Sequence, residues 1–366
     1  MNASGQTAAH RGGRWTAWVS YATALWSFVY GALGFYWAQG GAGFPFGEGH
    51  DRGAHLSVLG ALDRESGAPA IAALGLMGAV VALAMARVRG GGMGKTMLLG
   101  FAWTVATALA VVIPDFRVLV VVAYAPILLA GAPFGWPAEV RFFEAIPWPV
   151  LNQAVCIIGG VLWAATATGY QRRSRGACAH CGRSDAVPAR YTTPEAAARW
   201  GKWAVRVSVL VPVVYAVTRW AWALGFPLGI SEKFYREGQA TGLWWMGAAL
   251  ATLALVGSLL TFGLTGRWGE VFPRWLPFVG GRRVPPALAI VPAALVAIIV
   301  TSAGLMFLRV AIAGTFRLGD NIVTLDENPA ALAPELLWPV WGVALAAAAL
   351  AYWYRTRGRC EYCGRR

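Results

Sequence analysis

Apolar runs of roughly 18–25 residues recur along this chain of 366 residues, each long enough to cross the hydrocarbon core of a bilayer. The pattern predicts eight transmembrane helices: Trp15–Ala38, Pro69–Ala86, Met97–Pro114, Trp148–Tyr170, Trp200–Leu224, Leu243–Leu264, Ala287–Arg309 and Leu336–Tyr354. A ninth apolar stretch, Val118–Phe134, is broken by Pro126 and Pro133 and is short for a crossing. It reads as a re-entrant or buried segment. The alternating charges of Ser231–Glu237 predict a short surface helix. The fold class expected is therefore all-α, a polytopic transmembrane helical bundle.

Composition supports this reading. Hydrophobic residues make up 57% and charged residues 13%, about half the charged share of soluble domains. The tail at residues 1–13 is polar and glycine-rich, and is expected to be disordered. It lacks a cleavable signal pattern, because Arg14 leads directly into a full-length span.

The net charge of +14 would suit nucleic acid, but its distribution gives another cause. With eight crossings, one side of the membrane carries 21 Lys/Arg against four acids, Asp185, Glu195, Glu270 and Glu361. The other side carries seven Lys/Arg and 13 acids. By the positive-inside rule both termini are expected to be cytoplasmic. A full crossing by Val118–Phe134 would erase the asymmetry. The positive charge then follows from orientation and anionic lipid, so the bilayer is the partner expected and nucleic acid is not.

The two halves resemble each other. Arg14-Trp15-x-x-Trp18 matches Arg199-Trp200-x-x-Trp203, Tyr30 matches Tyr215, and Trp37 matches Trp222. Gly43-Phe-Pro-Phe-Gly47 matches Gly225-Phe-Pro-Leu-Gly229, and Trp148-Pro-Val matches Trp338-Pro-Val. Both halves close on a tag, Cys178-Ala-His-Cys181-Gly-Arg and Cys360-Glu-Tyr-Cys363-Gly-Arg. Chance similarity of apolar helices explains the Trp matches but not the others in the same order. This predicts two tandem four-helix repeats, 14–184 and 199–366, joined by a cytoplasmic linker at 185–198. Such repeats would be parallel, related by a pseudo-two-fold axis along the membrane normal.

Each Cys-x-x-Cys-Gly-Arg has the shape of a zinc knuckle. Two-residue spacing lets both sulfurs face one ion, and Gly lets the chain turn behind the second. Cys178, Cys181, Cys360 and Cys363 together would make the closed four-thiolate shell of a structural Zn²⁺ site, a clip joining the halves. The arginines around them, 172, 173, 175, 183, 357, 359, 365 and 366, would favour thiolate. A stable disulfide is disfavoured in a reducing cytoplasm. A redox role or no role stays open, though neither tag has the strand-helix setting of a redox pair. Equal loss of stability in Cys178→Ser and Cys360→Ser is expected of a shared site. His180 has Tyr362 as its counterpart and reads as a bystander; Cys156 reads as a core residue.

Ionisable groups inside spans are candidate functional residues. Arg219, Arg309, Asn152, Gln153 and Arg117 are candidates for lining a cavity that attracts an anion or lipid headgroup. The competing reading has the arginines snorkelling to the interface and the amides bonding helices together. Arg219→Ala is expected barely to affect folding, and a large loss would mark it as a member of a structural ion pair. No Asp or Glu falls inside a predicted span, so proton-coupled transport lacks its usual residue. The outer loop holds Glu48, His50, Asp51, His55, Asp63 and Glu65, which could serve a metal or acid–base chemistry but read first as a solvated loop. The segment Arg267–Phe278 mixes Arg with Trp and Phe, as expected in the headgroup layer. Met93-Gly-Lys95-Thr96 lacks the upstream glycines of a phosphate-binding loop.

Trp-rich first spans, Gly-Phe-Pro-x-Gly, Asn152-Gln153 and the Arg-Gly-x-Cys-x-x-Cys-Gly tail together resemble an uncharacterised family of multi-pass membrane proteins from high-GC actinobacteria. The resemblance covers essentially the whole chain. It implies an inner-membrane helical protein and carries neither an activity nor site residues. Three functional expectations follow from the residues. One is a module that binds or passes a small-molecule or lipid ligand. The others are a scaffold docking an unknown cytoplasmic protein partner, and a membrane enzyme using the outer-loop His and acids.

Overall fold

The structure, a computed structural model, describes residues 14–88, 92–131, 133, 146–186, 189–314, 316–318 and 321–365. The tail at 1–13 and the end of the ninth apolar stretch, Phe134, lie outside them. Helix α1 is Arg14–Ala38. Helix α2, Arg64–Arg87, starts where Asp63 accepts from the Ser66 N–H at 2.7 Å. Helix α3, Gly92–Thr107, runs into a π turn at Ala108–Val112 just before Pro114. Helix α4 is Phe116–Gly131, and α5, Trp148–Ser174, opens on Pro147 and Pro149.

In the second half, α6 is Pro194–Ala223, capped by Thr193. The short helix expected near Ser231 is present as α7, Glu232–Ala240, with Ser231 as its cap. Helices α8, Leu243–Phe262, and α9, Pro286–Ala313, follow. The last span is prefaced by α10, Pro329–Leu336, and continues as α11, Trp338–Thr356. A two-residue antiparallel pair, β1 (Arg317–Leu318) with β2 (Asn321–Ile322), is the one named sheet among the described residues.

Seven helices among the described residues are long and apolar enough to cross a membrane: α2, α3 with its π turn, α5, α6, α8, α9, and α10 with α11. In hydrocarbon every backbone amide must bond internally, which a helix achieves alone. Helix α1 is as long but is not among the seven, its four Trp and three Tyr lowering its hydropathy. The ninth stretch is a helix, α4, shorter than the spans.

Contacts divide the chain into two compact units. The first comprises Met1–Pro114, Arg141–Pro188 and Arg357–Arg366; the second comprises Asp115–Val140 and Ala189–Thr356. The sequence halves 14–184 and 199–366 are thus crossed twice. Helix α4 packs on α9 in the second unit, where Phe116 meets Phe307 at 5.7 Å, and the C-terminal tag belongs to the first.

In the first unit α1 packs along α2, α3 along α5, and α1 also meets α5. The α1–α2 crossing is made by glycines: a Cβ added at Gly75 would lie 2.5 Å from the Gly31 Cα. Small residues are what let helices approach closely without a hydrophobic driving force between them. Thr23 and Thr166 then bond across α1 and α5 at 2.8 Å. Ala24, Ala82, Met85, Ala102, Trp163 and Tyr170 form the core beneath. In the second unit α6 packs along α8, α9 along α11, and α6 also meets α11. Its core holds Val205, Leu264, Ala297, Leu345, Ala348 and Tyr352.

Candidate metal centre

The last turn of α5 releases the chain into the first knuckle. The Gly182 N–H donates to the Cys178 carbonyl at 2.8 Å, and the Cys178 N–H donates to the Arg183 carbonyl at 2.8 Å. Gly182 sits at φ 75°, a left-handed conformation that a Cβ would strain. The C-terminal tag repeats every one of these features. Gly364 donates to Cys360 at 2.8 Å, Cys360 donates to Arg365 at 2.9 Å, and Gly364 sits at φ 69°.

The two knuckles meet inside the first unit. The ring of His180 lies 4.3 Å from that of Tyr362. Arg183 donates to the carbonyls of Gly358 at 2.9 Å and Arg365 at 3.0 Å. Arg365 returns to the Arg183 carbonyl at 3.3 Å and pairs with Asp185 at 2.7 Å. The first knuckle is held from below by Trp15, whose indole N–H reaches the Ala179 carbonyl at 3.1 Å, and by Arg172, which reaches Ala179 and His180.

This brings together four sulfurs, those of Cys178, Cys181, Cys360 and Cys363, all within 4.8 Å of one another. Cys181 and Cys363 are 3.6 Å apart, too far for a disulfide bond of about 2.0 Å. A tetrahedral ion with metal–sulfur bonds of about 2.3 Å sets its sulfurs about 3.8 Å apart, so the cluster fits one metal ion. Cys181 and Cys360 are buried, and the other two are half-buried. Burial works against charge on Cys178, but N–H groups of Cys181 and His180 and the neighbouring thiols outweigh it and bring its pKa to about 7. Burial pushes Cys181 up to about 12, with the adjacent sulfurs adding to it. Together the four thiols make a donor set for a cation.

Of the tag arginines, Arg365 interacts with the Cys363 sulfur, as the sequence suggests, and others act differently. Arg172, Arg183 and Arg359 donate chiefly to backbone carbonyls, and so fasten the knuckles more than they charge the sulfurs. Arg173 spans two helices, reaching the Thr16 carbonyl of α1 at 2.7 Å and the Met85 carbonyl of α2 at 2.6 Å. The four-sulfur cluster does not include His180.

The other candidates are each engaged by partners within their own unit. In the first, Asn152 is fully buried and accepts from the Tyr30 hydroxyl at 2.9 Å, with Cys156 beside both; Gln153 is buried next to it. In the second, Arg117 pairs with Asp115 at 2.6 Å, and half-buried Arg309 feels the charge of Asp115. Arg219 does not snorkel. It pairs with Glu335, donates to Thr218 at 3.0 Å and Ala330 at 3.2 Å, and lies over the rings of Tyr215 and Trp222 at 4.5 and 4.3 Å.

Glu335 escaped the sequence reading, which placed it in an outer loop one residue before the last span. It is buried in the apolar stretch Pro329–Thr356, so the second unit does hold an acid inside a candidate span. Its Oε2 has no partner among the described residues. The signal available was a single acid among Ala, Leu and Pro at 329–337. The outer-loop acids and histidines do not gather. Asp51 is buried in a turn, accepting from the Gly53 N–H at 2.9 Å, and Asp63 caps α2. Glu48, His50 and His55 are exposed, and His50 sets its ring against Phe44.

These features define a polytopic helical membrane protein with a four-cysteine cluster of metal-binding geometry. Comparison with protein families, curated proteins and solved structures finds no match.

Proposed function

We propose that the chain is a non-catalytic membrane scaffold, a duplicated four-helix unit whose C-terminal tag is locked to the first knuckle by structural Zn²⁺. The observation that carries this is the meeting of four cysteines on two knuckles of identical hydrogen bonding. A closed Cys₄ shell leaves no open position for substrate, which is the mark of a structural site. The charge asymmetry and the free thiols support a cytoplasmic face for the tags, with α1 as the eighth crossing. That agrees with the inner-membrane helical protein implied by the family resemblance.

Duplication has support from each unit taken alone. Both pack their first helix on the second, third on the fourth, and first on the fourth. Gly43 and Gly47 have positive φ, and so do Gly225 and Gly229. Tyr170 and Tyr352 are both almost fully buried, eight residues before their tags. Three residues further on, Arg173 binds the Met85 carbonyl near the end of α2, and Arg355 binds the Leu264 carbonyl beyond the end of α8.

Elemental mass spectrometry on detergent-purified protein tests the clip. One zinc per chain, lost in Cys178→Ser and in Cys360→Ser alike, is the expected result. Four titratable thiols and no metal would remove it.

Ligand binding is the second reading, favoured by a recess of about 460 Å³ lined by Trp222, Arg236, Gln239, Trp244 and Trp245. If it holds a lipid, native mass spectrometry will show a retained adduct that Trp245→Ala loses. An adduct-free spectrum favours the scaffold.

A further inference from the structure

Residues 263–285, between α8 and α9, are far more chain than the join needs, since residues 88–91 suffice between α2 and α3. The long connection is built, not slack. Val284 donates to the Glu270 carbonyl at 2.9 Å, Phe272 to Arg282 at 3.0 Å, and Gly281 to Phe272 at 3.0 Å. Its base is bolted to the end of α11. The Tyr352 hydroxyl donates to the Gly269 carbonyl at 2.7 Å, and Arg355 pairs with Glu270.

The tip turns its apolar groups outward. Trp275 is 79% exposed and Phe278 is 93% exposed. Phe278 is the one non-glycine residue with positive φ, 66°, among the described residues. A Cβ opposes that conformation, so the folded loop holds the ring out against a backbone preference. Arg267, Arg274, Arg282 and Arg283 lie on the same connection as the rings, exposed and without an ion pair among the described residues. The connection's single acid, Glu270, is taken by Arg355.

Two exposed rings on a connection that also carries four exposed guanidinium groups are unfavourable in water and favourable in the headgroup layer, where rings bury and cations meet phosphate. Both flanking helices are candidate spans, so the loop emerges at the membrane surface. We propose that residues 270–284 form a wedge that binds phospholipids of net negative charge in the protein's own membrane. Trp275 and Phe278 enter the leaflet and Arg274, Arg282 and Arg283 bind the headgroups.

Hydroxyl-radical footprinting of the full-length protein tests this, in nanodiscs of phosphatidylcholine alone or mixed with phosphatidylglycerol. Labelling of Trp275 and Phe278 should fall severalfold in the mixed discs, and high salt should restore part of it by screening. The Arg274→Gln, Arg282→Gln, Arg283→Gln triple variant should lose the difference between discs while keeping its thermal stability in phosphatidylcholine. Phe278→Gly relieves the backbone, and should raise the melting temperature in detergent while weakening stabilisation by phosphatidylglycerol. Equal labelling in both discs overturns the proposal, and so does equal protection in both, which would show an apolar wedge blind to charge. Protection in native membranes alone would assign the loop to a protein partner and also overturn it.

Discussion

A guanidinium within a membrane helix needs a counter-charge and acceptors for its five N–H groups. Arg219 has Glu335, the Thr218 hydroxyl, two carbonyls and two aromatic faces, with a side chain only 9% exposed. Removing one member leaves the other charge buried and unpaired, which costs about 3–5 kcal/mol. Arg219→Ala and Glu335→Ala are each expected to lower unfolding stability in detergent by that amount, replacing the expectation of a silent Arg219. The double variant Arg219→Met, Glu335→Leu should recover most of the loss, because an apolar pair carries no desolvation penalty. A cycle in which the two losses simply add would show that the pair is not coupled. Nothing local announces this contact. Glu335 lies 116 positions from its partner, and hydropathy alone assigns it to a loop. The cysteine cluster was legible because each knuckle is a local pattern and the tag occurs twice. His180 marks the limit of that pattern: His180→Ala should leave the metal content unchanged and loosen only the stack on Tyr362.

Burying apolar surface between helices gains little in lipid, so close approach depends on small side chains. The crossing of α1 and α2 rests on this. A Cβ at Gly75 meets the Gly31 backbone at 2.5 Å, and one at Gly34 meets the Ala72 nitrogen at 2.6 Å. Gly75→Val is therefore expected to destabilise the first unit by at least the roughly 1–3 kcal/mol of ordinary overpacking, since backbone, not a rotatable side chain, stands in the way. Gly100 in α3 supplies the contrast, because its added Cβ meets nothing. Gly100→Ala should be neutral or raise stability by up to about 1 kcal/mol, the helix-propensity gain. Thermal unfolding of the two variants side by side checks both. The spans themselves were readable from the length of apolar runs, though helices such as Pro194–Ala223 and the last span, which opens at Pro329, start well before the runs predicted from Trp200 and Leu336. Which faces touch was not, since the runs are apolar on all sides and carry no stripe to point inward. For the same reason α4 gave no sign from sequence that it packs on α9.

The C-terminal residues close a contact with a segment that precedes them by about half the chain. Arg357–Arg366 belongs to the first unit while α11, which leads into it, belongs to the second. The hydrogen bonds of Arg183 and Arg365 would hold the tag weakly alone, each worth about 1 kcal/mol net or somewhat more where charged. A metal ion shared by four thiolates changes the scale, because zinc bound to small folded sites contributes on the order of 10 kcal/mol. On the proposed clip, retention of the tag is a metal-linked equilibrium, and stability should depend on free metal concentration. Removing residues 357–366 takes two of the four sulfurs together with the Arg365 contacts. The truncated protein should carry no zinc and should melt at a lower temperature. Hydrogen exchange should rise at Cys178–Arg183 and at the start of α1, where Trp15 supports the knuckle. Protection across α6, α8 and α9 should be unchanged, because none of those helices belongs to the unit that holds the site. A strong chelator applied to the intact chain should reproduce the same local pattern. If instead it raises exchange across both units, the metal supports the whole bundle and the local account is wrong.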